Sequence, residues 1–202
     1  MNSLKQFIPV LSDIFVNLSE NALYERQRAL VRVGLLKPIA GRGPGSGVPL
    51  TPESVAMLLI AVLATDNLNE TGAATKAVVA AKRVPLLSSK HVLVGADNLH
   101  ALLSRTLSSD DDSDRILTVR VQRLTSSATV FAKAVPHHPI LFLPEKNPGG
   151  GNFSVYAQFH GDTFFELRRL LAKTEPLTDA KRQLLQRRLA RLQAFQDKEP
   201  RS

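Results

Sequence analysis

In the first half of the chain, apolar residues recur every three or four positions. Phe7, Leu11, Ile14 and Phe15 fall on one side of a helix predicted over residues 4–16. Ala22, Leu23, Ala29, Leu30 and Val33 do the same for a second helix over residues 20–33, for which Ser19 is the natural N-cap. The longest apolar run, residues 55–64, is far shorter than the roughly 18 residues a membrane span requires, so it predicts a buried helix. Thr51 supplies its cap and Pro52 its first helical position, where a missing N–H costs nothing. Residues 70–108 read as helical again, through TGAATKAVVAAKRV and ADNLHALLSRTL.

The period then changes. SSDDDSD, residues 108–114, carries four aspartates and no apolar side chain, and predicts an exposed connector between a region 1–108 and a region 115–202. Beyond it Ile116, Thr118, Arg120 and Gln122 interleave with Leu117, Val119, Val121 and Leu124, the pattern of a strand with one buried face. Further strands are predicted at 128–134, 140–143 and 153–159, separated by a VPHHP turn and a flexible NPGGGN loop. A helix over 164–172, capped by Asp162 or Thr163, precedes another over 178–196 with a stripe of Leu184, Leu185, Leu189, Leu192 and Phe195. The expected fold class is α+β: a helical N-terminal region, then a small antiparallel sheet flanked by C-terminal helices.

Charge narrows the partners. Among 202 residues, Lys plus Arg number 26 and Asp plus Glu 18, for a net charge of +8, the balance of a chain that meets a polyanion. With no cysteine, thiolate metal sites, disulfides and cysteine nucleophiles are excluded, and a reducing cytoplasm is the expected location. The opening MNSLKQFIPVLSDIF lacks the basic and apolar regions of a secretion signal, and no membrane partner is expected. His91, His100, His137, His138 and His160 are scattered without metal-ligand spacing, so no metal is expected. The triple glycine at 149–151 lacks the Lys-Ser/Thr and following helix of a phosphate loop. No carboxylate pair or Ser/His/Asp set is placed together by spacing, so neither catalytic residues nor a cofactor are assigned.

The most specific signal lies between residues 19 and 64. The second helix presents Asn21, Tyr24, Glu25, Arg28 and Arg32 opposite its apolar side, with Arg26 and Gln27 flanking. Arg pairs bidentately with guanine, Asn or Gln with adenine, and any cation neutralises phosphate. Gly34 is placed to end that helix in a left-handed conformation, and Lys37-Pro38 begins an extended stretch. GRGPGSG then makes a glycine-rich tip bearing Arg42 before residues 48–50 run extended again, which predicts a hairpin with a cationic end.

Tyr24-Glu25-Arg26 in the second helix, Gly34-Leu35-Leu36-Lys37-Pro38, the glycine-bearing hairpin of 41–47 and Leu50-Thr51-Pro52-Glu53-Ser54-Val55 resemble, in order and spacing, the winged helix-turn-helix family that includes MerR-type regulators; a prophage-type variant is equally consistent. The resemblance covers about residues 10–65. It implies double-stranded DNA as partner, a recognition helix in the major groove and a wing reaching backbone or minor groove. Asn21, Tyr24, Arg26, Gln27, Arg28, Arg32, Lys37 and Arg42 are the DNA-binding candidates. The absent cysteines exclude thiolate metal sensing.

Two functions compete at this level. One is a sequence-specific transcriptional regulator acting as a homodimer, since a single recognition helix contacts too few base pairs for useful selectivity. The other is a phage-type DNA-packaging or assembly protein using the same module structurally. No small-molecule effector is identified, and the basic helix near the C-terminus is assigned first to packing, then to dimerisation, then to DNA.

Overall fold

The computed structural model describes residues 3–15, 18–39, 47–85, 95–146 and 154–174. The protein is α+β, with seven α-helices and a five-stranded antiparallel sheet among the described residues. Helix α1 (Leu4–Ile14) begins with a capping box in which Ser3 and Gln6 satisfy each other's backbone N–H. Helix α2 (Glu20–Arg32) is capped by Ser19, whose side chain accepts from the Ala22 N–H. Gly34 follows at φ +76°, the left-handed turn expected of it. The chain then runs to Ile39, which exchanges backbone hydrogen bonds with Gly47 at 2.9 and 3.3 Å. An antiparallel bridge between Ser3 and Pro49 lies beside this pair. The intervening residues 40–46, including Arg42, lie outside the described residues.

Helix α3 (Pro52–Ala64) starts as its sequence predicts, with Thr51 as cap and Pro52 in the first turn. Every residue from Ser54 to Ala64 is buried. An apolar helix without a polar side belongs in the middle of a core. α3 accordingly packs against α2, α4 (Thr71–Ala80), α5 (Leu99–Ser108) and the sheet. α4 follows a 3-10 turn, Leu68–Glu70, and α5 is capped by Asn98.

The expected connector at 108–114 is instead largely helix α6 (Asp110–Arg115). Ser109 caps it, and three aspartates occupy its first turn, where the helix dipole favours negative charge. Asp112 is buried because it has partners: Arg105 Nε at 2.7 Å and Arg115 Nη1 at 3.3 Å. The apolar core is one cluster that runs from Leu4 to Leu171, across this segment.

The sheet order is β1 (Lys82–Arg83), β4 (Val135–Leu143), β3 (Ser127–Ala132), β2 (Ile116–Gln122), β5 (Tyr156–His160). β1 has no counterpart in the sequence prediction. The VPHHP segment is not a turn but the first half of β4. Its prolines, Pro136 and Pro139, are tolerated because β1 reaches only Phe142 and Leu143, leaving this stretch an edge, and because the β3 register shifts opposite it. Val119, Val121, Val130, Ile140 and Phe142 point inward and are fully buried. On the same side Phe159 stacks on Phe15, the C-cap of α1, at 4.9 Å between centroids and meets Phe164 edge-on at 6.4 Å. Phe164 belongs to α7 (Gly161–Thr174), which is three residues longer than the predicted helix at its N-terminal end and two longer at its C-terminal end, so Asp162 and Thr163 lie inside it rather than cap it. The NPGGGN loop and the predicted helix over 178–196 lie outside the described residues. No described helix is long and apolar enough to cross a membrane.

Candidate nucleic-acid interface

α2 divides cleanly into two sides. At about 100° per residue, Asn21, Glu25, Arg28 and Arg32 fall within about 60° of one another, opposite Leu23 and Leu30. Leu23 and Leu30 are fully buried, and Asn21, Arg28 and Arg32 are exposed. Glu20 at the first turn and Arg32 at the last complement the helix dipole. Glu25 shares the exposed side and accepts from Arg28 Nη1 at 3.0 Å. Tyr24 sits toward α1, half-buried, with the Lys5 ammonium 5.0 Å from its ring centroid. Lys37, past the helix end, is exposed.

Arg26 and Gln27 are not on this surface. Arg26 is 2% exposed and Gln27 7%. Arg26 Nη2 donates to the carbonyls of Thr65 at 3.0 Å and Asp66 at 3.3 Å, closing the C-terminus of α3. Burial lowers the Arg26 pKa; Asp66 opposes that shift and Arg123 adds to it. Arg26 Nε and Gln27 Oε1 have no hydrogen-bond partner among the described residues. The sequence held the signal: Arg26 and Gln27 lie three and four residues after Leu23, and four and three before Leu30, inside the buried stripe. Val33 departs from expectation the other way, being 44% exposed although assigned to the apolar side.

The exposed side of α2 is bounded by α4. Between them runs a groove of about 490 Å³ lined by Glu25, Arg32, Val33, Leu68 and Asn69. Lys5 and this groove were not singled out from sequence, because both depend on how α1 and α4 dock onto α2. Of the sequence candidates, the structure brings Asn21, Arg28 and Arg32 together on one surface, with Tyr24 at its margin and Lys37 beyond the turn. Arg26 and Gln27 are withdrawn into the core.

The histidines do not form a site among the described residues. His100 Nε2 lies 3.0 Å from the Glu53 carbonyl and 3.4 Å from Ser104 Oγ, while His137, His138 and His160 are exposed along β4 and β5. No family model, no curated protein and no solved structure matches this chain.

Proposed function

We propose that this protein binds double-stranded DNA through the exposed side of α2 and acts as a sequence-specific regulator of transcription. The observation that carries the reading is the grouping of Asn21, Arg28 and Arg32 on one solvent-facing strip of a single helix, the side-chain types that read base edges and neutralise phosphate. Two features support it. α2 follows α1 after five residues, as a recognition helix follows its supporting helix, and the Ile39–Gly47 bridge brackets the segment whose sequence carries Arg42. The net charge of +8 has the sign that attraction to a duplex requires. Binding as a homodimer to two half-sites supplies the selectivity that one short helix lacks.

The test is a mobility shift on a site recovered by sequencing genomic fragments bound to the pure protein. Replacing Arg28 and Arg32 together by Ala abolishes the specific shift and leaves the circular dichroism spectrum unchanged. Equal affinity in the double variant removes α2 from the interface.

A further inference from the structure

On the outer side of the sheet, away from the packed helices, Phe131 of β3, Arg120 of β2 and Tyr156 of β5 lie beside one another. The Arg120 guanidinium carbon sits 5.7 Å from the Phe131 ring centroid and 5.4 Å from that of Tyr156. Gln158 Oε1 accepts from Arg120 Nε at 3.3 Å and Nη2 at 3.1 Å, which fixes the guanidinium between the rings. Tyr156 is 52% exposed, and no residue of this face on β2, β3 or β5 is buried. Polar uncharged groups surround the three planar side chains: Thr118, Gln122, Thr129 and Gln158. None of the five strands contains Asp or Glu.

We infer that this face is a stacking platform for single-stranded nucleic acid. Two aromatic rings held about a cation, on strands that carry no carboxylate, match a ligand that is both polyanionic and built of flat π-systems. Bases stack on aromatic side chains and on arginine planes, and no acid on these strands repels the phosphates. A duplex does not fit, because its bases are already stacked on each other and offer only their edges, which a flat sheet cannot enter. Neighbouring strands are roughly 4.8 Å apart, so the span from β3 to β5 accommodates about two unstacked bases. The hydroxyls and amides around the platform are donors and acceptors suited to exposed base edges. This surface is separate from the α2 strip, so either assignment can stand without the other.

The experiment is fluorescence anisotropy of the full-length protein with labelled oligothymidine and oligouridine of about 12 nucleotides, at low and at moderate salt. Wild type binds with an affinity that falls as salt rises, and the stronger of the two probes identifies DNA or RNA as the preferred strand. Tyr156→Ala weakens binding about ten-fold or more. Tyr156→Phe keeps the ring and retains wild-type affinity, which separates loss of stacking from loss of fold. Arg28→Ala with Arg32→Ala leaves single-strand binding intact. The inference is overturned if wild type binds neither probe at low salt, or if Tyr156→Ala binds as wild type does. It is equally overturned if Tyr156→Arg converts a dimer to a monomer in light scattering, which gives the face to a second copy of the chain.

Discussion

Arg123 holds the Asp66 carboxylate with both terminal nitrogens, Nη1 to Oδ2 and Nη2 to Oδ1, the latter at 2.7 Å, while its Nε donates to the Leu63 carbonyl at 3.1 Å. Arg26 reaches the same helix end from α2. The C-terminus of α3, where the dipole favours cations, is therefore closed by one guanidinium from the N-terminal helices and one from the turn after β2.

These two arginines contribute unequally. Arg26→Ala removes the charge-assisted donor to the Thr65 and Asp66 carbonyls just past α3, and is expected to cost about 2–4 kcal/mol in urea denaturation. Asp66→Ala breaks a pair whose acid is 81% exposed, and is expected to cost under about 1 kcal/mol. Equal losses in the two variants contradict this ranking.

Glu25 shares the exposed side of α2 with Arg28 and Arg32, and a carboxylate there both occupies Arg28 and repels phosphate. Glu25→Gln should tighten duplex binding about two- to five-fold at low salt, with the gain shrinking as salt rises. Arg28→Ala with Arg32→Ala should lower the slope of log affinity against log salt by about two. A salt titration reads both, and a Glu25→Gln variant that binds DNA more weakly contradicts the proposed contact surface.

Two glycines with crowded surroundings respond differently. A Cβ on Gly161 would lie 1.9 Å from the Ile116 carbonyl oxygen, a backbone atom that can yield only by moving the start of β2 against α7. Gly161→Ala is expected to cost upwards of about 3 kcal/mol or to prevent folding. At Gly72 the clash is with Val33 Cγ1 at 2.6 Å, the end of an exposed side chain that can rotate away. Gly72→Ala gains about 1 kcal/mol of helix propensity and should fall within about 1 kcal/mol of wild type in thermal melts.

Asp112 ties α5 to α6. Asp112→Ala removes the buried acceptor that Arg105 and Arg115 share, and because both guanidinium side chains are near half-exposed, a loss of about 1–3 kcal/mol is expected. A change below about 0.5 kcal/mol in chemical denaturation contradicts a structural role for this pair of bridges.

The helices were legible because cap and periodicity agree locally. Ser19, Thr51 and Pro52 mark starts that the structure reproduces, and Gly34 marks a stop. β2 was legible from alternation beyond Thr118, while Ile116 and Leu117 break it because the β2–β3 register shifts between Ile116 and Thr118, leaving Ile116 buried and Leu117 exposed. α6 was not, because an aspartate-rich run reads as solvated until Arg105 and Arg115 arrive from outside it, and that convergence is tertiary. β4 was read too short because proline argues against a strand, and only the pairing scheme reveals that the partner strand stops before Pro139. At the candidate interface the strip of Asn21, Arg28 and Arg32 could be read from helix geometry. Arg26 was misassigned by letting side-chain charge outweigh its position beside Leu23 and Leu30.

α3 has no side that meets water from Ser54 onward. A helix enclosed in this way makes the polypeptide indivisible: a fragment ending near residue 85 would bare the flank that α5 and the sheet cover, and would stick to itself rather than behave as a miniature of the whole. Dissection by truncation is therefore the wrong instrument for this molecule, and point substitutions in the intact chain are the right one.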